Sequence, residues 1–96
     1  MSWRLIVRPL ARLQIAEAAD WYDRQSRRLG DEFLQAVDRR LEAIADNPHQ
    51  YQLLRGDLRR AIVRPFPYLI VYAMSESEVT ILRCVHARRD QRRWPG

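Results

Sequence analysis

The chain has 96 residues and a formal net charge of +5, with 17 basic residues against 12 acids, two histidines and one cysteine. A chain of this length forms one domain, residues 1–96, around a single core, and a lone cysteine excludes an internal disulfide or a multi-cysteine zinc site. No apolar run approaches the ~20 residues of a membrane span, so a cytoplasmic protein without a membrane partner is expected.

Residues 3–8 read as a strand, because Trp3, Leu5 and Val7 alternate with arginines. Pro9 suits the first turn of a helix, which the pattern carries over residues 10–29 with Leu10, Leu13, Ala16 or Glu17, Trp21 and Tyr22 as the apolar stripe. Gly30 is expected to end that helix as a left-handed cap. Asp31 and Glu32 favour the N-terminus of a second helix, and Phe33, Val37, Leu41 and Ile44 follow at helical spacing until Asn47 and Pro48 stop it. Strands are expected over 58–64, where alternation sets Arg60, Ile62 and Arg64 opposite Arg59, Ala61 and Val63, over the apolar run 68–74, and over 79–85. The predicted architecture is α+β, in the order β-α-α-β-β-β: an N-terminal strand, then an αα-hairpin packed on one face of a small, mainly antiparallel sheet. The second sheet face is left carrying arginines.

The groups available for catalysis are few. Serines 2, 26, 75 and 77 have no nucleophile elbow or adjacent base, and His49 and His86 are too far apart to share a metal, so neither metal nor cofactor is expected. His49 reads as solvated. His86, at the end of the last strand, either bonds the backbone or acts as an acid or base, the structural role being favoured. Cys84 reads as a small buried strand residue.

Charge is more informative than the nucleophiles. Eight arginines balance eight acids over residues 1–54, whereas nine face four over residues 55–96, so the net charge belongs to the C-terminal half. Every basic residue is arginine; no lysine base exists, and each positive charge is a planar fork suited to phosphate or carboxylate. Arg24, Arg27, Arg28, Arg39 and Arg40 read as solvated helix positions. Arg59, Arg60, Arg64, Arg83, Arg88 and Arg89 converge from three adjacent segments, and Asp57, Glu76, Glu78 and Asp90 are too few to neutralise them. A helix-turn-helix DNA binder is a poor alternative, because the second helix is net acidic.

RRAIVRPFPYLIVY over residues 59–72, followed by ILRCVHARRD over 81–90 and then Trp94, resembles the RelE/ParE family of toxins from type II toxin–antitoxin modules, and the likeness runs along essentially the whole chain. The resemblance implies a small toxin held inactive by a cognate, ParD-like antitoxin whose C-terminal segment wraps over hairpin and sheet. RelE-type members cleave messenger RNA on the ribosome with an arginine just after the aromatic of the third strand, another in the tail and a C-terminal tyrosine. Here Leu69 follows Tyr68, Arg88 matches the tail arginine, and the tyrosine position falls near Trp94, which cannot transfer a proton. The resemblance therefore favours the ParE branch, which poisons DNA gyrase without a catalytic centre of its own. Arg59, Arg60, Arg64, Arg83, Arg88, Arg89 and Trp94 are then the expected contacts to target or antitoxin, with Trp94 packing back onto the domain. In the ribonuclease alternative, acting on ribosome-bound messages, Arg60, Arg64, His86 and Arg88 would be catalytic.

Overall fold

Residues 2–88 are described in the computed structural model. They run β1 (Arg4–Val7), α1 (Pro9–Gln25), α2 (Leu29–Asp46), a 3-10 turn (Pro48–Gln50), β2 (Gln52–Arg55), β3 (Leu58–Ile62), β4 (Tyr68–Met74) and β5 (Glu78–His86). The sheet order is β1-β5-β4-β3-β2. β2 to β5 pair antiparallel in sequence, whereas β1 lies parallel to β5, because the helical hairpin carries the chain away across one face before the sheet is built. The α+β architecture is the expected one, with β2 as an additional edge strand. β2 is too short to show alternation. It exists because the turn after it, with Gly56 at φ 52, folds it back on β3.

Of the expected stripe on α1 only Tyr22 faces the core, and the rest is out of phase. Leu10, Leu13 and Trp21 are 45%, 55% and 45% exposed, whereas Ala11, Ala18, Ala19 and Tyr22 are buried. α1 packs against both α2 and β5, and alanines let its backbone approach both neighbours where leucines would hold them apart. Gln14 reaches across that contact and accepts the Cys84 N–H at 2.9 Å.

The turn between the helices also differs from expectation. α1 ends at Gln25, and the left-handed residue is Arg28, with φ 69, while Gly30 lies inside the first turn of α2. Gly30 is needed for closeness: a Cβ there would stand 2.5 Å from the Ala19 carbonyl oxygen and 2.5 Å from the Asp23 carboxyl. Its N–H donates to Asp23 Oδ1 at 2.8 Å, which ties the start of α2 to the last turns of α1. α2 otherwise follows its pattern, burying Phe33, Val37 and Ile44 with Leu41 at the core edge.

Between hairpin and sheet, Tyr22, Phe33, Phe66 and Tyr68 form one aromatic cluster. Phe33 sits 5.3, 5.2 and 5.2 Å from the centroids of the other three rings. Tyr72 is fully buried, and its hydroxyl donates to the Pro48 carbonyl at 2.6 Å. Burial pushes the Tyr72 phenol up to about 12, partly opposed by the Arg59 cation, and burial alone pushes the Cys84 thiol up to about 12.

Both groups keep their protons in the fold to a higher pH than in the unfolded chain. Stability is therefore full below the ordinary values of 9.0 and 10.0 and falls as pH climbs from there toward 12, because the unfolded chain ionises first. The unfolding free energy from urea titration should be level near neutrality and decline in that window, by up to about 1.4 kcal/mol per pH unit for each group, and the midpoint should fall with it. Cys84→Ala should flatten the early part of the decline. A wild-type midpoint that stays level to pH ~11 would contradict the burial of both groups.

Candidate functional site

The second face of the sheet, opposite the helices, has an apolar centre flanked by arginine. Leu69, Val71 and Val85 are buried there and pack with Leu54, Leu58, Ile62 and Ala87. Val71 is paired with Arg60 on one side and Arg83 on the other, so β3 and β5 place these two arginines either side of it. Arg64 is exposed just past the end of β3, and Arg88 just past the end of β5.

Arg59 belongs elsewhere. Strand alternation pairs it with the core-facing Tyr72, and its guanidinium donates to the Tyr51 carbonyl at 2.6 Å and the His49 carbonyl at 3.4 Å. It thus clamps the segment entering β2 and does not join the arginines of the second face. Arg89 and Trp94, expected to complete the cluster, lie outside the described residues.

His86 has the structural contacts anticipated for it: its Nδ1 accepts the Arg88 N–H at 3.2 Å, and its ring meets Tyr68 edge-on at 5.4 Å. His49 is exposed, but its ring packs edge-on against Trp3 at 5.6 Å. Glu78, one of the few acids of the C-terminal half, pairs with Arg4 at 3.5 Å across β1 and β5. That pair is solvent-facing and contributes at most about 1 kcal/mol.

Arg40 is the residue whose role the sequence reading missed. It is half-buried, donating from Nε to the Ile62 carbonyl at 2.7 Å and from Nη1 to the Tyr51 hydroxyl at 2.8 Å, with its guanidinium 5.4 Å from the Tyr51 ring centroid. A signal was present: Phe33, Val37, Arg40 and Ile44 follow one another at spacings of three and four, so Arg40 shares the core-facing side of α2. Beside Arg40 a cleft of about 550 Å³ opens, lined also by Arg60, Arg64, Tyr51, Gln50 and Gln52.

A second concavity runs along the hairpin. Ile15, Ala16 and Ala19 of α1 face Leu34, Val37 and Leu41 of α2 across a groove of about 350 Å³, with Arg12, Asp20 and Asp38 also in its lining. The chain thus presents an apolar helical groove on one side and an arginine-flanked sheet face on the other. Among the described residues no helix is long and apolar enough to cross a membrane.

The family model of the ParE toxin of the type II toxin–antitoxin system, parDE, matches residues 5–91. The chain belongs to the ParE toxin family. A solved structure described as the chromosomal ParDE TA system from P. aeruginosa is similar in fold, with a TM-score of 0.80 at 13% identity, covering 91% of this chain and 98% of that one. No protein of curated function matches the chain by sequence. Among the described residues, the hairpin groove and the sheet face are two surfaces of different chemistry in this ParE fold. The groove offers apolar area to an amphipathic segment, and the face offers cationic forks around a dry centre.

Proposed function

We propose that this ParE-family chain acts in the cytoplasm as a DNA gyrase inhibitor without a catalytic centre of its own, and that a ParD-like antitoxin neutralises it by covering the hairpin groove and the sheet face. The observation that carries the reading is the apolar centre of the second face. Leu69, at the position where a RelE-type nuclease would place an arginine, is buried beside Val71 and Val85. An aliphatic side chain there cannot stabilise a phosphorane or move a proton. Arg83 on the β5 flank, outside the cleft beside Arg40, is suited instead to a charge-assisted hydrogen bond with a protein partner's carboxylate, worth roughly 1.5–3 kcal/mol when partly desolvated. An antitoxin segment lying in the hairpin groove would remove exposed leucine surface from water and stabilise a small domain by mass action.

Induction of the chain in a host lacking the antitoxin should arrest growth and raise the DNA damage response with gyrase-dependent breaks, while translated messages stay intact. Normal growth at high levels of folded protein would overturn the toxin reading. Codon-positioned cuts in ribosome-bound messages, without DNA breaks, would instead move Arg60, Arg64, His86 and Arg88 into catalytic roles.

A further inference from the structure

The cleft beside Arg40 brings together three arginines from three places in the fold: Arg40 from α2, Arg60 from β3 and Arg64 from the segment after it. Among the described residues none of its lining side chains is Asp or Glu. Three like charges gathered around one concavity repel one another, and an anion entering it relieves that repulsion. The protein holds two of the forks in place from behind. The bonds from Arg40 to the Ile62 carbonyl and the Tyr51 hydroxyl fix its plane, and Arg60 Nη2 donates to Gln52 Oε1 at 3.1 Å. Each bond spends only part of a guanidinium's donors, so both arginines keep N–H groups for a ligand. The Gln52 amide, whose Oε1 accepts the Arg60 bond, adds an uncharged donor to the same wall, whereas the Gln50 amide donates to the Ala43 and Asn47 carbonyls.

We infer that this cleft binds the phosphodiester backbone of a nucleic acid. A lone carboxylate carries one charge and saturates one fork, leaving the others unpaired. A phosphodiester backbone repeats its charge at a fixed interval. Arg60 and Arg64 are four residues apart, so their α carbons are separated by at most roughly 13 Å along an extended chain. Over that length one strand of duplex DNA carries about four phosphates, at ~3.4 Å of axial rise each. The net charge of +5 acts in the same direction at long range, drawing polyanions toward the surface. The inference rests on the composition of the cleft and not on the gyrase assignment, and the assay that tests it contains neither gyrase nor antitoxin.

Fluorescence anisotropy of the purified full chain with a short labelled DNA duplex, and separately with a single-stranded RNA of the same length, reads the binding as a function of salt. Binding of either nucleic acid supports the inference, and the two arms tell which backbone is preferred. Arg60→Gln with Arg64→Gln should weaken binding at least tenfold and lower the slope of log K against log salt by about 2, close to one unit per lost phosphate contact. Arg24→Gln with Arg27→Gln, on the exposed end of the hairpin, removes the same charge away from the cleft and should weaken binding less than about threefold. Equal losses in the two double variants would overturn the site, leaving only general electrostatic attraction. Displacement of nucleic acid by polyglutamate at equal charge concentration would also overturn it, since the cleft would then be a carboxylate site.

Discussion

Phe33→Ala is expected to remove about 3–5 kcal/mol of stability, a large share of the roughly 5–15 kcal/mol available to a domain of this size. Phe33 is fully buried and touches three aromatic rings contributed by α1, by the segment before β4 and by β4 itself. Truncation therefore opens a cavity at the meeting point of hairpin and sheet, and the surrounding rings cannot close it without leaving their own contacts. The thermal midpoint should fall by roughly 15–30 °C, with the urea m value unchanged. Leu13→Ala is the exposed comparison: its side chain is 55% exposed, so a change within about 0.5 kcal/mol is expected although it too truncates a large apolar side chain. A loss below about 1 kcal/mol for Phe33→Ala would mean that the aromatic cluster is not what joins the two layers.

Gly30→Ala sets two effects against each other, and their signs differ. Helix propensity favours alanine by about 1 kcal/mol in a helix interior. Packing opposes it, because the new methyl would meet the Ala19 carbonyl oxygen and the Asp23 carboxyl, each 2.5 Å away. The carboxylate can rotate aside only by giving up its bond to the Gly30 N–H, and the carbonyl belongs to the α1 backbone and cannot move without the helix. Overpacking and the lost charge-assisted bond together cost roughly 3–5 kcal/mol, so a net destabilisation of about 2–4 kcal/mol is expected by urea unfolding. Asp23→Ala removes the bond but opens space, so the double variant should lose less than the sum of the two single variants. A Gly30→Ala protein more stable than wild type would show that the two helices do not approach so closely.

The parts legible in the sequence are those governed by local pattern. α2 was readable because Phe33, Val37, Leu41 and Ile44 place one apolar face at helical spacing, and β4 because seven consecutive residues suit a strand covered on both faces. The register that puts Arg60 and Arg83 on the same face as Val71 follows from alternation once pairing is known. Arg59 was misplaced because charge grouped it with Arg60, although one residue along a strand reverses the face and alternation alone separates the two. The phase of α1 was misread because a helix wedged between another helix and a strand buries alanine for close approach, and hydrophobic size then points to the wrong side.

By itself the sequence determined the α+β class, the positions of most elements, the concentration of arginine in the C-terminal half and the family to which those motifs belong. Each of these depends on neighbours along the chain, whose spacing is fixed by covalent geometry. The tertiary structure decided which arginines act together. Arg40 and Arg60 are twenty positions apart in sequence, and only the crossing of α2 over β3 brings both to one cleft. It also decided that Gly30 is needed for contact between two helices and not for a left-handed turn, because the atoms excluding a side chain there come from α1, seven and eleven residues back along the chain.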